Sequence, residues 1–127
     1  MIPKFRVAFK NKIFGEVVSI DFIDETVTIA VYDRVDGIYI GDSVLGLNQV
    51  TLMQSTGLFD NSTPEKEIFD GDIVYAYSEG ARLIGAIEYF DNAYCIKTKN
   101  GVYNSLWTNA EYYEVVGNVF ENIHLLK

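Results

Sequence analysis

The chain has a single cysteine, Cys95, in 127 residues. That excludes an intramolecular disulfide and any paired-cysteine metal motif. It has one histidine, His124, so no histidine cluster can form. Long apolar runs are missing as well, and none approaches the roughly 18 residues a membrane helix needs. The opening segment PKFRVAFKNK is basic and polar, unlike a signal sequence. The expected home is therefore a reducing cytoplasm, with no membrane involvement. Positive charge is scarce: ten Lys and Arg stand against eighteen Asp and Glu, a net charge of −8. Bulk nucleic-acid binding needs the opposite balance, so nucleic acid is an unfavoured partner. Lys4, Arg6, Lys10 and Lys12 nevertheless cluster at one end, while residues 60–91 hold eight acids and only Lys66 and Arg82.

What remains is rich in strand formers. Apolar residues make up 49%, with nine Tyr and eight Phe, too much for a disordered chain. KFRVAF alternates, placing Phe5, Val7 and Phe9 on one side. EVVSIDFI predicts Val18, Ile20 and Phe22 on one face. Asp24-Glu25 then reads as a tight hairpin turn into TVTIAVY, with Val27, Ile29 and Val31 together. YDRVDGIYIGDSVLGLNQ, interrupted by Gly37, Gly41 and Gly46, predicts a loop or short irregular strands, and QVTLMQS a further strand. TGLFDNSTPEK reads as a loop of turn formers, with Pro64 outside any ladder.

The second half repeats the pattern. Phe69-Asp70-Gly71-Asp72 predicts a turn, then Ile73, Tyr75 and Tyr77 alternate with Val74, Ala76 and Ser78. RLIGAIEYF is a strand with Gly85 as an expected bulge or bend. Asp91-Asn92 and Asn100-Gly101 predict hairpin turns around AYCIKTK. TNAEYY suggests one helical turn, YEVVGNVF a last strand, and ENIHLLK a turn packing Leu125 and Leu126. No segment keeps helical periodicity over twelve residues. The expected fold is mostly β with little helix. Short, meandering, glycine-bent strands from about residue 72 suit a small closed barrel.

The chemistry of a reaction centre is thin. Asp70 and Asp72 flank Gly71, and Asp60-Asn61-Ser62 has a weak calcium-loop look. The twelfth positions, however, are Ala81 and Gly71, not Glu. For Asp70 and Asp72 the stronger reading is a structural turn, with their side chains accepting backbone N–H groups. Cys95 reads as a small core residue and His124 as a surface one, with a dyad between them the weaker alternative. The glycines of GIYIGDSVLG lack the Lys-Ser/Thr of a phosphate loop. No catalytic residue, cofactor or metal is expected, and the chain is not expected to be an enzyme. Aromatics crowd the C-terminal half, and Tyr75, Tyr77, Tyr89, Trp107, Tyr112 and Tyr113 are candidate interface residues.

Three stretches carry a family resemblance. LMQSTGLFD…KEIFDGDIV, with Gln54, Thr56, Gly57, Leu58, Asp60 and then Lys66 to Phe69 and Gly71 to Val74, resembles the hallmark of the YopX-like proteins of phages and prophages. The tail YEVVGNVFENIHLL is similar to that family's closing motif, and KFRVAFKNKIFGEVVSIDF to its N-terminal segment. The resemblance implies one YopX-like domain with a small N-terminal β part over 1–56 and an SH3-like barrel over 57–127. It also implies a phage origin and self-association, and it implies no reaction. The expected function is a non-enzymatic accessory protein that binds itself or a host or phage protein. The alternative is a nucleic-acid-associated module, or an acidic decoy of a host DNA-binding protein.

Overall fold

A computed structural model describes residues 4–78, 80–106 and 112–127. Among them are twelve strands and two short 3-10 turns, a mostly β fold. The chain divides into two compact units, Met1–Gln54 and Ser55–Lys127.

The first unit opens with a hairpin of β1 (Phe5–Phe9) and β2 (Lys12–Phe14), joined at Lys10-Asn11. Both turn residues have positive φ, 50° and 60°, as the commonest two-residue hairpin turn requires. The first half of β6 (Thr51–Phe59) pairs with the other edge of β1, from Phe5↔Gln54 to Ala8↔Thr51. A second sheet runs β3 (Val17–Asp21), β4 (Thr26–Tyr32), β5 (Tyr39–Gly46), all antiparallel. Val7, Val27 and Ile29 form the buried centre, with Phe9, Val17, Ile20, Val31 and Leu45 packed around it.

Three expectations change here. Val18, Ile20 and Phe22 do not share a buried face. The ladder slips between Val17 and Ser19, and one extra residue inverts the alternation. Val17 and Ile20 therefore face the core, while Val18 and Phe22 are 53% and 76% exposed. The connection to β4 is four residues, Phe22 to Glu25, and not a two-residue hairpin. Asp21 holds it by accepting the N–H groups of Ile23 and Asp24 at 2.9 and 3.0 Å. The glycine-interrupted stretch is loop only over residues 33–38: Tyr39–Gly46 is one eight-residue strand, followed by a 3-10 turn at Leu47–Gln49. Its pairing with β4 outweighs weak local propensity.

The second unit is a five-stranded antiparallel sheet in the order β11 (Tyr103–Ser105), β10 (Ala93–Lys97), β9 (Ala81–Phe90), β8 (Asp72–Ser78), β12 (Tyr112–Asn118). It curls as a half-barrel over Ile68, Val74, Ala76, Ile87, Ile96 and Leu106, with Leu58, Leu83, Tyr94, Tyr113 and Val115 packed against them. β7 (Glu67–Phe69) pairs with the second half of β6 and supplies Ile68. TGLFDNSTPEK is therefore only partly loop, since Thr56 to Phe59 lie in β6.

Both hairpin turns read from sequence are present. Asp91 and Asn92 have φ of 52° and 65°, and Phe90 pairs with Ala93. At the other turn, Gly101 has φ 81° and donates its N–H to the Thr98 carbonyl at 2.9 Å. Gly85 is not a bulge, because β9 keeps unbroken register with β8 across it, from Ile73↔Ala86 through Val74↔Gly85 to Tyr75↔Ile84. Its lack of a side chain is what the sheet needs: a Cβ there would lie 2.5 Å from the Lys97 carbonyl oxygen. The predicted helical turn over TNAEYY falls mostly on residues 108–111, outside the described residues, while Tyr112 and Tyr113 begin β12. The C-terminal turn is 3-10, Ile123–Leu126.

Candidate functional site

The motif around Asp60 draws attention first because it buries a carboxylate almost completely, at 1% exposure. Asp60 leaves β6 at the point where the chain turns toward β7. Its Oδ1 accepts the N–H of Lys66 at 2.7 Å, the N–H of Ser62 at 3.1 Å and the Ser62 hydroxyl at 2.6 Å. Its Oδ2 accepts the N–H of Val115 on β12 at 2.9 Å. Burial alone pushes the Asp60 carboxyl upward, but the Lys66 N–H, the Ser62 hydroxyl, and the Val115 and Ser62 N–H groups outweigh it. The acid is held below the usual Asp range. Asn61 extends the contact: its N–H donates to the Tyr113 carbonyl at 2.9 Å, and its Oδ1 accepts the Tyr113 N–H at 2.7 Å.

The loop is a clasp. β12 is paired with β8 on one edge, and residues 60 and 61 satisfy its other edge. A bare edge strand is a template for unwanted pairing, and this loop covers it. Lys66 adds its ammonium to the Val115 carbonyl at 3.2 Å. The loop's lone proline follows a cis peptide, Thr63–Pro64. With all its oxygens turned onto protein N–H and O–H groups, Asp60 is placed as a structural carboxylate.

Asp72 is similarly placed, 1% exposed and accepting the Phe69 N–H at 2.8 Å across the Gly71 turn. Gly71, at φ 87°, donates to the Ile87 carbonyl and accepts from the Val119 N–H. Asp70 differs from both. Burial first, and the Glu88 carboxylate second, push its carboxyl upward, with the Gly71 N–H opposing in part. Glu88 in turn accepts the Tyr103 hydroxyl at 3.1 Å and pairs with Lys97 at 3.8 Å. The closing motif also makes a compact turn: Asn118 accepts the N–H groups of Phe120 and Glu121, and Asn122 accepts that of Asn118.

Cys95 is buried, its thiol directed at the Phe90 and Ala93 carbonyls. Burial pushes the thiol up, with Asp91 adding to it, so it is poorly nucleophilic. His124 sits in the last 3-10 turn, away from β10 in sequence and element.

Strand alternation sorts the six candidate interface residues. Tyr112 stands opposite Tyr77, which stands opposite Arg82. Glu114 stands opposite Tyr75, which stands opposite Ile84. These two rows of three lie on the face of the sheet turned away from Val74 and Ala76. Tyr113, adjacent to Tyr112, points the other way, packs on the core and donates its hydroxyl to the Leu106 carbonyl at 2.6 Å. Tyr89 is also on the core side by register, though 56% exposed, and meets Tyr94 edge-on at 5.1 Å. Trp107 lies outside the described residues.

Sequence reasoning missed a second surface. Tyr39, Ile40 and Val44 along β5 are all more than half exposed. Period-two alternation within GIYIGDSVLG was the available signal, masked by its glycines.

These features define a mostly β protein in which the buried Asp60 and Asp72 accept backbone N–H groups and Tyr75, Tyr77 and Tyr112 share the sheet face away from Val74 and Ala76. The chain belongs to the YopX protein family, whose model matches residues 4–127. No curated protein matches it.

Proposed function

We propose that this YopX family member is a non-enzymatic phage or prophage accessory protein, working in the host cytoplasm by contact with a second copy of itself or another protein. The observation that carries the reading is the outward row Tyr112–Tyr77–Arg82 beside Glu114–Tyr75–Ile84. The core takes Tyr94 and Tyr113 but leaves Tyr75, Tyr77 and Tyr112 on the opposite face. Tyrosine and arginine there suit an interface, since each combines apolar area with a polar tip. The conspicuous acids support the same reading, because Asp60 and Asp72 are occupied with backbone N–H groups. The test is light scattering of the wild type against Tyr77→Ala and Tyr112→Ala, followed by affinity capture from host lysate. The reading expects an oligomer or a stoichiometric partner that both variants weaken. A monomer that recovers nothing, unchanged by either variant, contradicts it.

A nucleic-acid role has one observation in its favour: Lys4, Lys10 and Lys12 are exposed on and beside the β1–β2 hairpin. Binding to DNA through them would weaken steeply as salt is added.

A further inference from the structure

β5 presents a free edge. β5 ends its sheet, hydrogen-bonded to β4 on one side only. Which of its backbone groups face outward follows from β4. Ala30 donates its N–H to Glu16, on the β3 side, at 3.0 Å. Its register partner Asp42 is therefore in a non-hydrogen-bonded pair with β4 and turns its own N–H and C=O to the open edge. Val44, two residues on, does the same. Gly46 would be third, but its N–H is already taken by the Gln49 side chain at 3.0 Å. At the other end the ladder slips at Val31/Tyr32, leaving Ile40 as an extra residue that breaks the edge. The open segment is thus Asp42 to Val44. Between Ile38 and Gly46 the edge carries one charge, Asp42, and neither Lys nor Pro, which commonly guard exposed edges. Instead Tyr39, Ile40 and Val44 stand exposed along it, at 52%, 64% and 63%.

We infer that two copies pair antiparallel along β5, about a two-fold axis through Ser43, merging two three-stranded sheets into one of six strands. This rests on the reading of the chain as an interaction protein, and it names both the occupant and the register. Self-pairing needs outward residues opposite outward residues, which leaves few registers. An axis at Asp42 sets two carboxylates directly opposite, which is destabilising. An axis at Val44 sets Asp42 against Gly46, whose N–H is already committed. An axis at Gly41 calls on the slipped Ile40. The axis at Ser43 sets Asp42 against the partner's Val44, twice by symmetry, with Ser43 facing its own copy. No charges then oppose across the seam. Tyr39 donates its hydroxyl to Asp42 at 2.6 Å, which holds that carboxylate along its own strand.

The register is testable by cysteine placement in a Cys95→Ala background, free of other cysteines. Residues facing each other at a non-hydrogen-bonded site sit about 4.5 Å apart at Cα, within the roughly 4.4–6.8 Å that a disulfide spans. Ser43→Cys should link two copies under mild oxidation. Asp42→Cys and Val44→Cys, each roughly 7–8 Å from its own copy, should link at least about tenfold more slowly. Separately, Val44→Glu sets an added carboxylate against the partner's Asp42 at two places and should weaken the dimer about tenfold or more in sedimentation equilibrium. Circular dichroism on each variant checks that the fold is kept. Equal linking at all three positions, or a dimer indifferent to Val44→Glu, overturns the inference. A dimer that resists Val44→Glu but dissolves with Tyr77→Ala overturns it while leaving the wider reading intact. A wild type that is monomeric at every salt and captures no partner overturns both.

Discussion

Replacing Asp60 should break the clasp in a way that separates its charge from its shape. Asp60→Ala removes the acceptor for three backbone N–H groups and one hydroxyl. Ser62 and Lys66 lie in a partly open loop and recover water, while the Val115 amide, tied to Oδ2, is in a packed strand. With about 0.5–1 kcal/mol for each of the three rehydrated groups and about 1–3 kcal/mol for the buried one left unpaired, the loss is about 2.5–6 kcal/mol. At a few degrees per kcal/mol for a domain of this length, Tm should fall by about 10 °C. Asp60→Asn keeps an oxygen for the loop but turns an NH2 toward the Val115 N–H, so it should cost about 1–3 kcal/mol. The pH dependence has a definite sign. The folded Asp60 carboxyl titrates below its unfolded value, so its contribution is fully present above pH of about 4 and is lost as pH falls through the lower folded value. The wild type should therefore lose stability more steeply than Asp60→Asn in acid, and the two should converge there. Urea unfolding from pH 3 to 7 measures this. An Ala variant within about 0.5 kcal/mol of wild type, below the range expected for a lost buried acceptor, would refute the clasp. An Asn variant within about 0.5 kcal/mol of wild type at pH 7 would refute the assignment of Oδ2 to the Val115 N–H.

Three further outcomes follow from the second unit. Gly85→Ala should destabilise by about 2–4 kcal/mol, because its Cβ meets the Lys97 carbonyl, which is backbone and cannot swing aside; thermal melts check it. Asp70→Asn should raise Tm at pH 7, since burial and Glu88 disfavour the charged form, and the gain should vanish in acid once the wild-type carboxyl is protonated. Cys95 should react with a thiol reagent only at the rate of unfolding, being buried with its thiol pushed up; fast labelling of the native protein would contradict its placement.

Much of the fold was legible because period-two alternation is a local property. Val27, Ile29 and Val31 face the core as their spacing predicts, and Asp91, Asn92 and Gly101 take the positive φ their chemistry favours. The misreadings came from single-residue slips. The irregularity at Val18 inverted the face of β3, and the slip near Ile40, together with the glycines, hid that β5 is one continuous strand. Neither leaves a mark that composition can reveal. DNSTPEK could be read as turn chemistry but not as a clasp, because its partner Val115 is 55 residues away. The aromatic face was half legible: Tyr75 and Tyr77 share parity, whereas neighbours Tyr112 and Tyr113 in one strand must point oppositely.

We propose that surfaces carry this protein's role, with a second copy as the first partner. Sedimentation velocity across a salt series tests it most directly. Each copy carries a net charge of −8, so added salt screens mutual repulsion and should tighten the dimer. A monomer throughout, or an association that weakens steeply with salt, would contradict the claim.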